Sequence, residues 1–115
     1  MDPLELAHSV VDVIEEKSGQ DIILLDLRGI SIITDFFVLG CGKNSRHLKA
    51  VARTVMDATD VKRRTGARDL MSQAESGWVL LDLGDVVVHL FTPEQRSHYD
   101  LESLWQDGRG LLKVQ

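Results

Sequence analysis

The chain has 115 residues, of which 43% are hydrophobic and 27% are charged, and its formal net charge is −5. This length suits a single domain with its own hydrophobic core. The one cysteine, Cys41, excludes an internal disulfide and is typical of a reducing compartment. The apolar runs are shorter than the roughly 20 residues of a membrane-spanning helix, and the N-terminus lacks the pattern of a signal peptide. We therefore expect a small soluble intracellular domain.

The charges are divided into blocks along the chain. Residues 1–42 carry eight acidic and two basic side chains, whereas residues 43–68 carry eight basic and two acidic ones. Residues 69–107 again carry eight acidic side chains, with one basic residue among them. The net charges of the three blocks are −6, +6 and −7, and the C-terminal residues add +2. Such blocks influence association and steering rather than the fold.

The first predicted element is a helix that begins near Asp2 and ends at Ser18-Gly19. Asp2 suits the N-cap, Pro3 the first helical position and Glu5 the acidic position of a capping box. We expect Gly19 to adopt the left-handed conformation that ends many helices. The apolar residues that recur at helical spacing are Leu6, Val10, Val13 and Ile14.

Two strands and a second helix are predicted next. Residues 22–27 and 36–41 are nearly continuous apolar runs, which is typical of strands that are covered on both faces. The helix is expected over residues 45–58, with Asn44 or Ser45 as its cap. Its apolar stripe consists of Leu48, Val51, Ala52, Val55 and Met56.

A β-hairpin gives the clearest local signal. Residues 78–83 and 86–91 are strand-like runs that are separated by Gly84-Asp85 alone. A two-residue loop that opens with glycine is typical of a hairpin. Before the hairpin, a short strand is expected near Ala67–Met71.

A last helix is predicted with Thr92 as its N-cap and Pro93 at its first position, and it is expected to run, continuously or with a break, to about Trp105. The predicted order is therefore α-β-β-α-(β)-β-β-α. This order describes a single α/β domain over residues 1–107, with a mixed sheet of four or five strands and three main helices. Residues 108–115 are interpreted as a C-terminal tail.

Enzyme signals are scarce, because the sequence has neither a Gly-x-x-x-x-Gly-Lys-Ser/Thr loop nor a Gly-x-Gly-x-x-Gly motif. The glycine-rich segment 40–45 would either bind an anion through its amides or form a tight strand-to-helix turn. Four aspartates at predicted strand ends or beside the hairpin turn would either hold a metal for phosphoryl or nucleotidyl transfer or cap turns. They are Asp26, Asp35, Asp82 and Asp85. An enzyme or nucleotide binder is therefore the alternative function.

Three further side chains have the chemistry of metal ligands, namely His89, His98 and Asp100. His89 alternates with apolar residues on a predicted strand, and no two histidines have the spacing of ligands on one helix, which favours structural histidines. Cys41 has no evident activating partner and is interpreted as a small core thiol.

Six basic residues of the middle block would suit contacts with the phosphates of RNA. No aromatic residue is interleaved with them for base stacking, and a solvated helix face is the alternative. The six residues are Arg46, Lys49, Arg53, Lys62, Arg63 and Arg64.

Residues 78–105 contain both tryptophans, the one tyrosine and most acidic residues of the third block. Tryptophan and tyrosine are frequent at interface hot spots, and an acidic rim attracts a basic partner. The alternative is that Trp78 and Trp105 are half-buried core residues.

Five short motifs occur along the chain in order. Two of them are Trp78-x-x-x-Asp82-Leu83-Gly84-Asp85-Val86-Val87-Val88-His89 and Arg96-x-x-Tyr99-Asp100-Leu101-Glu102-x-Leu104-Trp105. The upstream three are Lys17-x-Gly19-x-Asp21-Ile22, Thr34-Asp35-Phe36-Phe37-Val38 and Gly42-x-x-Ser45-Arg46-His47. Together the motifs closely resemble those of the Iojap-related ribosomal silencing factors, over residues 4–105.

The resemblance implies a nucleotidyltransferase-like fold without catalysis, a cofactor or a metal site. It further implies a translational repressor, because family members bind ribosomal protein fourteen of the large ribosomal subunit and block joining of the small subunit when nutrients are short. The expected compartment is the bacterial cytoplasm, with an organelle as the alternative. Exposed aromatic side chains would make a homodimer reasonable.

The aromatic and acidic residues predict a partner-binding surface on the hairpin and the last helix, and the resemblance maps the family's interface onto the hairpin strands. Trp78 and Leu83 would form an apolar anchor, and acidic side chains would meet arginines and lysines of the ribosomal protein. The expected partner-binding residues are Trp78, Asp82, Leu83, Asp85, Glu94, Arg96 and Tyr99. Arg96 and Tyr99, together with His89, would alternatively orient the last helix on the sheet.

Overall fold

The computed structural model describes residues 2–32, 34–59, 67–97 and 109–114, and for residues 67–69 and 109–114 it describes the backbone alone. Within these ranges the five strands form one sheet in the order β3-β4-β2-β1-β5. The strands β2 and β4 are parallel, and the other neighbouring pairs are antiparallel. The predicted mixed α/β sheet is therefore confirmed. The elements are α1 (Pro3–Glu16), β1 (Gln20–Asp26), β2 (Phe36–Cys41), α2 (Ser45–Thr59), α3 (Ala67–Ser76), β3 (Trp78–Asp82), β4 (Val86–Phe91), α4 (Pro93–Arg96) and β5 (Arg109–Val114).

The sheet separates two apolar layers. The helices α1, α2 and α3 pack on one face and bury the main core there. A smaller cluster lies on the opposite face and consists of Ile23, Leu25, Leu27, Leu39, Cys41 and Phe91. Because β1 and β2 contribute to both layers, their sequences are continuously apolar rather than alternating.

The ends of α1 show one confirmed prediction and one wrong one. The Asp2 carboxylate accepts a hydrogen bond from the Glu5 amide at 2.8 Å, so Asp2 is the N-cap. The left-handed residue at the other end is Ser18, with φ of 64°, and not Gly19. Gly19 is needed for a different reason, because a Cβ at this position would collide with the Ile14 side chain.

The prediction of a strand near Ala67–Met71 is wrong, because α3 occupies this segment. Leu70 and Ala74 are four residues apart and both face the main core, as the helical repeat requires. The helix gives way to β3 at Gly77, whose φ of +89° suits glycine.

The fifth strand is formed instead by β5, which pairs with β1 at the edge of the sheet away from β3. Residues 108–115, interpreted above as a tail, therefore contain a strand of the sheet. Thr92 is the N-cap residue of α4 and Pro93 its first residue, as predicted. The helix ends at Arg96, and the remainder of the predicted helix, residues 98–105, lies outside the described residues. Within the part of the chain that is described, no helix is both long and apolar enough to span a bilayer.

Candidate partner-binding surface

The outward face of β3 carries an exposed apolar pair. Strand side chains alternate between the two faces of a sheet, so Val79 and Leu81 point into the main core. Trp78 and Leu80 point the other way and remain 41% and 44% exposed. We call these two side chains, at the edge of the sheet, the Trp78–Leu80 patch.

The neighbouring strands hold the Trp78 ring in place. Trp78 lies opposite Phe91 in the hairpin register, with ring centroids 5.3 Å apart. Its indole N–H donates a hydrogen bond to Nδ1 of His89 at 3.3 Å. Phe37 of β2 in turn meets the His89 ring edge-on at 4.7 Å. These contacts orient the tryptophan while much of its surface stays exposed.

His89 is the buried support of the patch. It is 6% exposed, and burial lowers its pKa from 6.5 to about 4, since the charged form would lose its hydration. The ring is therefore neutral near pH 7, and its Nδ1 serves as the acceptor for Trp78. This environment agrees with a structural histidine. The two other side chains considered as metal ligands, His98 and Asp100, lie outside the described residues.

The hairpin turn has the predicted two-residue loop. Leu83 donates its amide hydrogen to the Val86 carbonyl at 2.8 Å, and Gly84 has a φ of +92°. The Asp82 carboxylate accepts a hydrogen bond from the Gly84 amide at 2.8 Å. The Asp85 carbonyl accepts hydrogen bonds from the amides of Asp35 and Phe36, where β2 begins. Both aspartates remain exposed, so each combines a role in the turn with an accessible charge.

Leu83 does not join Trp78 on the outward face. It lies an odd number of residues from Trp78, and its side chain packs against the main core on the helix side of the sheet. Leu80 takes the neighbouring outward position instead. Sequence reasoning missed Leu80, although strict alternation from Trp78 points to it. The structure thus groups Trp78, Leu80 and Asp82 on one side of β3.

The free edge of β3 is partly covered by α3. The amide of Leu80 donates a hydrogen bond to the side-chain oxygen of Gln73 at 2.9 Å. This contact occupies a backbone donor that an added strand would otherwise use. The accessible part of β3 is therefore its outward side-chain face more than its backbone edge.

Arg96 attaches α4 to the sheet. Its guanidinium donates to the Asp21 carbonyl at 2.9 Å and to the Cys41 sulfur at 3.4 Å, and it lies 5.7 Å from the centroid of the Phe91 ring. Burial raises the pKa of the Cys41 thiol, and the nearby Arg96 charge opposes this effect. Two roles were considered for Arg96, a partner contact and the orientation of the last helix, and these contacts favour the second. The burial of Cys41 agrees with a core thiol.

The remaining expected partner-binding residues lie at or beyond α4. Glu94 is exposed in the first turn of α4 and lines a cavity of about 510 Å³ that also borders Gly77 and Thr92. Tyr99 lies outside the described residues. The described part of the chain therefore places Glu94 at the surface but gives no position for Tyr99.

The glycine-rich segment before α2 is a packed turn. The Lys43 amide donates to Nδ1 of His47 at 2.9 Å, and the His47 amide donates to the Asn44 side chain at 2.9 Å. A Cβ on Gly42 would lie 3.0 Å from the Leu48 backbone. Because these amides already have acceptors and the glycine allows close packing, the geometry favours the turn over an anion site.

The strand-end aspartates do not form a metal site among the described residues. Asp26 is buried and accepts two hydrogen bonds from the Arg28 guanidinium, at 2.8 and 3.0 Å, so its charge is paired. Asp35 and Asp85 meet through the backbone, where the Asp35 amide donates to the Asp85 carbonyl at 2.9 Å. Among the side chains that are described, no three histidine, cysteine, aspartate or glutamate residues are placed to hold a metal ion.

Three of the six basic residues lie together on the outward side of α2. Arg46, Lys49 and Arg53 border one shallow groove on this side. The basic run Lys62-Arg63-Arg64 lies outside the described residues. The structure therefore brings together three of the six residues that were considered for RNA contact.

Comparison with known proteins agrees with this fold and with the motifs. A family model described as "Ribosomal silencing factor during starvation" matches residues 1–114. The ribosomal silencing factor RsfS of Bacillus subtilis (strain 168) is 40% identical over 104 residues, which cover 90% of this chain and 85% of that protein. A mouse protein named "Mitochondrial assembly of ribosomal large subunit protein 1" is 30% identical over 98 residues, which cover 84% of this chain and 43% of that protein.

A solved structure extends the agreement to three dimensions. The crystal structure of a protein from Chromobacterium violaceum matches with a TM-score of 0.77 and 31% identity, over 92% of this chain and 88% of that one. The predicted likeness to nucleotidyltransferases stays a prediction. Because the family model spans nearly the whole chain and a solved relative shares its fold, the chain belongs to the ribosomal silencing factor family.

Proposed function

We propose that this protein is a translational repressor that binds ribosomal protein fourteen of the large ribosomal subunit and blocks joining of the small subunit. The observation that carries the proposal is the Trp78–Leu80 patch, an exposed apolar pair on an ordered strand. Adjacent large apolar side chains on a surface are characteristic of sites of association, whereas single ones are ordinary, and tryptophan is frequent at hot spots. The name of the mouse relative, which refers to assembly of the large ribosomal subunit, supports the choice of subunit.

The electrostatic part of the proposal rests on the acidic residues around the patch. Asp82 shares the outward face of β3, and Asp85 is exposed at the hairpin turn. The block 69–107 has a net charge of −7, which favours a basic partner such as a ribosomal protein. We assign Arg96 to positioning α4, because its guanidinium is engaged within the protein.

The proposed action is steric and involves no catalysis. A domain with principal extents of 34 × 30 × 24 Å covers a substantial part of a surface that the small subunit must contact. Three groups that an enzyme of the alternative class would use already have partners within the protein, namely the Asp26 carboxylate and the amides of Lys43 and His47.

Binding to the isolated ribosomal protein tests the surface. We expect Trp78→Glu to weaken this binding at least 30-fold, since a central hot spot contributes about 2 kcal/mol or more and the new charge would face the acidic rim. Met71→Glu is the matched control, because Met71 is 47% exposed on α3, on the helix side of the sheet. Isothermal titration calorimetry gives the affinities, and circular dichroism checks the fold. Equal binding by the two folded variants would remove the Trp78–Leu80 patch from the interface.

Subunit joining tests the mechanism separately. Purified small and large subunits are mixed with the protein, and joined ribosomes are measured on sucrose gradients. We expect the wild-type protein to reduce the joined fraction and Trp78→Glu to leave it unchanged. Tight binding to the ribosomal protein without any loss of joined ribosomes would refute the steric block but not the contact. The homodimer stays a prediction, which light scattering of the free protein can check.

A further inference from the structure

The outward side of α2 presents three cationic side chains in a row. Leu48, Val51 and Val55 bury the opposite side of this helix in the main core. Arg46, Lys49 and Arg53 follow one another at steps of three and four residues, so they share one side of the helix. They line a groove of about 350 Å³, whose remaining lining residues are Ala50, Thr54 and Asp57.

These three cations form no ion pair within the described part of the chain, although the carboxylates of Asp57 and Glu75 border the same side of the helix. No hydrogen bond or ion pair joins the Arg46, Lys49 or Arg53 side chain to another described residue. Arg28 and Arg96 differ, because the first pairs with Asp26 and the second donates to Asp21 and Cys41. The groove therefore offers positive charge and hydrogen-bond donors that no described residue uses.

The charge extends along the sequence beyond α2. Lys62, Arg63 and Arg64 follow the helix by a few residues, and the block 43–68 has a net charge of +6 in a chain whose total is −5. Such a concentration of positive charge in an acidic protein creates a local field that attracts polyanions. Of the neighbouring acidic blocks, Glu75 borders Arg46 and Lys49, whereas charges further away than about 8–10 Å are largely screened at physiological ionic strength.

We propose that the outward side of α2, through Arg46, Lys49 and Arg53, binds the phosphate backbone of RNA. Arg46 and Arg53 are seven residues apart, or about 10 Å along the helix axis, a span over which a nucleic acid strand presents several phosphates. Guanidinium groups suit phosphate because they donate two parallel hydrogen bonds. No aromatic side chain lines the groove, so the contact is with the backbone and is independent of sequence.

An acidic protein is a less suitable occupant of this groove. Stable protein interfaces bury large apolar or aromatic anchors at their centre, whereas the one apolar side chain lining the groove is Ala50. RNA needs no such anchor, because release of counterions from its phosphates supplies most of its sequence-independent affinity. The chemistry of the lining therefore favours a phosphate polymer.

The position of the groove makes this contact independent of the proposed function. The helix α2 covers one face of the sheet, and the Trp78–Leu80 patch lies on the other. A protein bound to β3 and an RNA strand bound to α2 would therefore not compete for the same side chains. A variant that no longer binds the ribosomal protein through β3 can therefore still be assayed for RNA binding through α2, and the reverse also holds.

Titration of a fluorescein-labelled single-stranded RNA of 20 nucleotides at several KCl concentrations tests the proposal. We expect Arg46→Gln/Arg53→Gln to weaken binding and to reduce the slope of log K against log [KCl] by about 1.4, or ~0.7 for each lost phosphate contact. The matched control is Lys17→Gln/Lys43→Gln, which removes the same charge from two exposed side chains outside the groove. Circular dichroism confirms that both variants fold, and binding to the isolated ribosomal protein is expected to be unchanged in each.

Three results would overturn the proposal. Absence of RNA binding by the wild-type protein at low salt would show that the groove has no RNA affinity. An equal loss of affinity in the Lys17→Gln/Lys43→Gln control would assign the effect to net charge instead of the groove. Competition by polyglutamate as effective as that by unlabelled RNA would indicate an acidic protein as the occupant.

Discussion

The neutral ring of His89 is expected to make the stability of this fold depend on pH. In the folded protein burial lowers the pKa of His89 to about 4, whereas in the unfolded chain the ring regains its ordinary value of about 6.5. Between these two values the unfolded chain binds a proton that the folded chain does not. The contribution of neutral His89 to the free energy of unfolding is therefore fully present above pH 6.5, and it is lost as the pH falls towards 4.

The size of the effect follows from the two pKa values. A difference of one unit corresponds to about 1.4 kcal/mol, so the complete contribution of His89 is about 3 kcal/mol. Between pH 7 and pH 5 the expected loss is about 2 kcal/mol. This is a large share of the roughly 5–15 kcal/mol that stabilises a typical domain.

Urea denaturation of the wild-type protein and of His89→Gln, followed by circular dichroism at pH 7 and pH 5, measures this loss. Glutamine does not titrate, and its side-chain oxygen can still accept the indole N–H of Trp78. The difference between the two proteins cancels the contributions of the carboxylates and of the other histidines. If the unfolding free energies of the two proteins fall in parallel from pH 7 to pH 5, burial of a neutral His89 is refuted as the cause.

Two further outcomes concern the turn before α2. Gly42→Ala is expected to destabilise the protein by about 1–3 kcal/mol, since the new Cβ would lie 3.0 Å from backbone atoms of Leu48; an unchanged melting temperature would show that the turn can shift. ATP or CTP with Mg²⁺ is expected not to raise the melting temperature, because the amides of Lys43 and His47 already have acceptors. A concentration-dependent rise would instead support the nucleotide-binding alternative.

Elements with local signals were predicted from the sequence. The Gly84-Asp85 loop specifies its hairpin through the positive φ that Gly84 adopts. Likewise, the side chains of Asp2 and Asn44 accept backbone amides three residues further on, so each helix start is encoded within a single turn.

Features that depend on distant contacts were not predicted. The strand β5 pairs with β1, which lies almost at the other end of the chain, and no local pattern reveals that pairing. Among the α3 side chains that the structure describes, Leu70 and Ala74 are the ones in the main core, so the apolar repeat of this helix is weak in the sequence. Leu83 belongs to the hairpin motif and was predicted to join Trp78, but the alternation of strand side chains places Leu83 on the core side and Leu80 beside Trp78.

The support beneath Trp78 has a kinetic consequence. Its ring is held by the His89 hydrogen bond and by packing on Phe91, and its backbone belongs to a strand instead of a loop. Much of the rotational freedom that an exposed tryptophan would lose on association is therefore already absent in the unbound protein. We expect complex formation to proceed without a slow rearrangement, at a rate set by collision and by attraction between the charged surfaces.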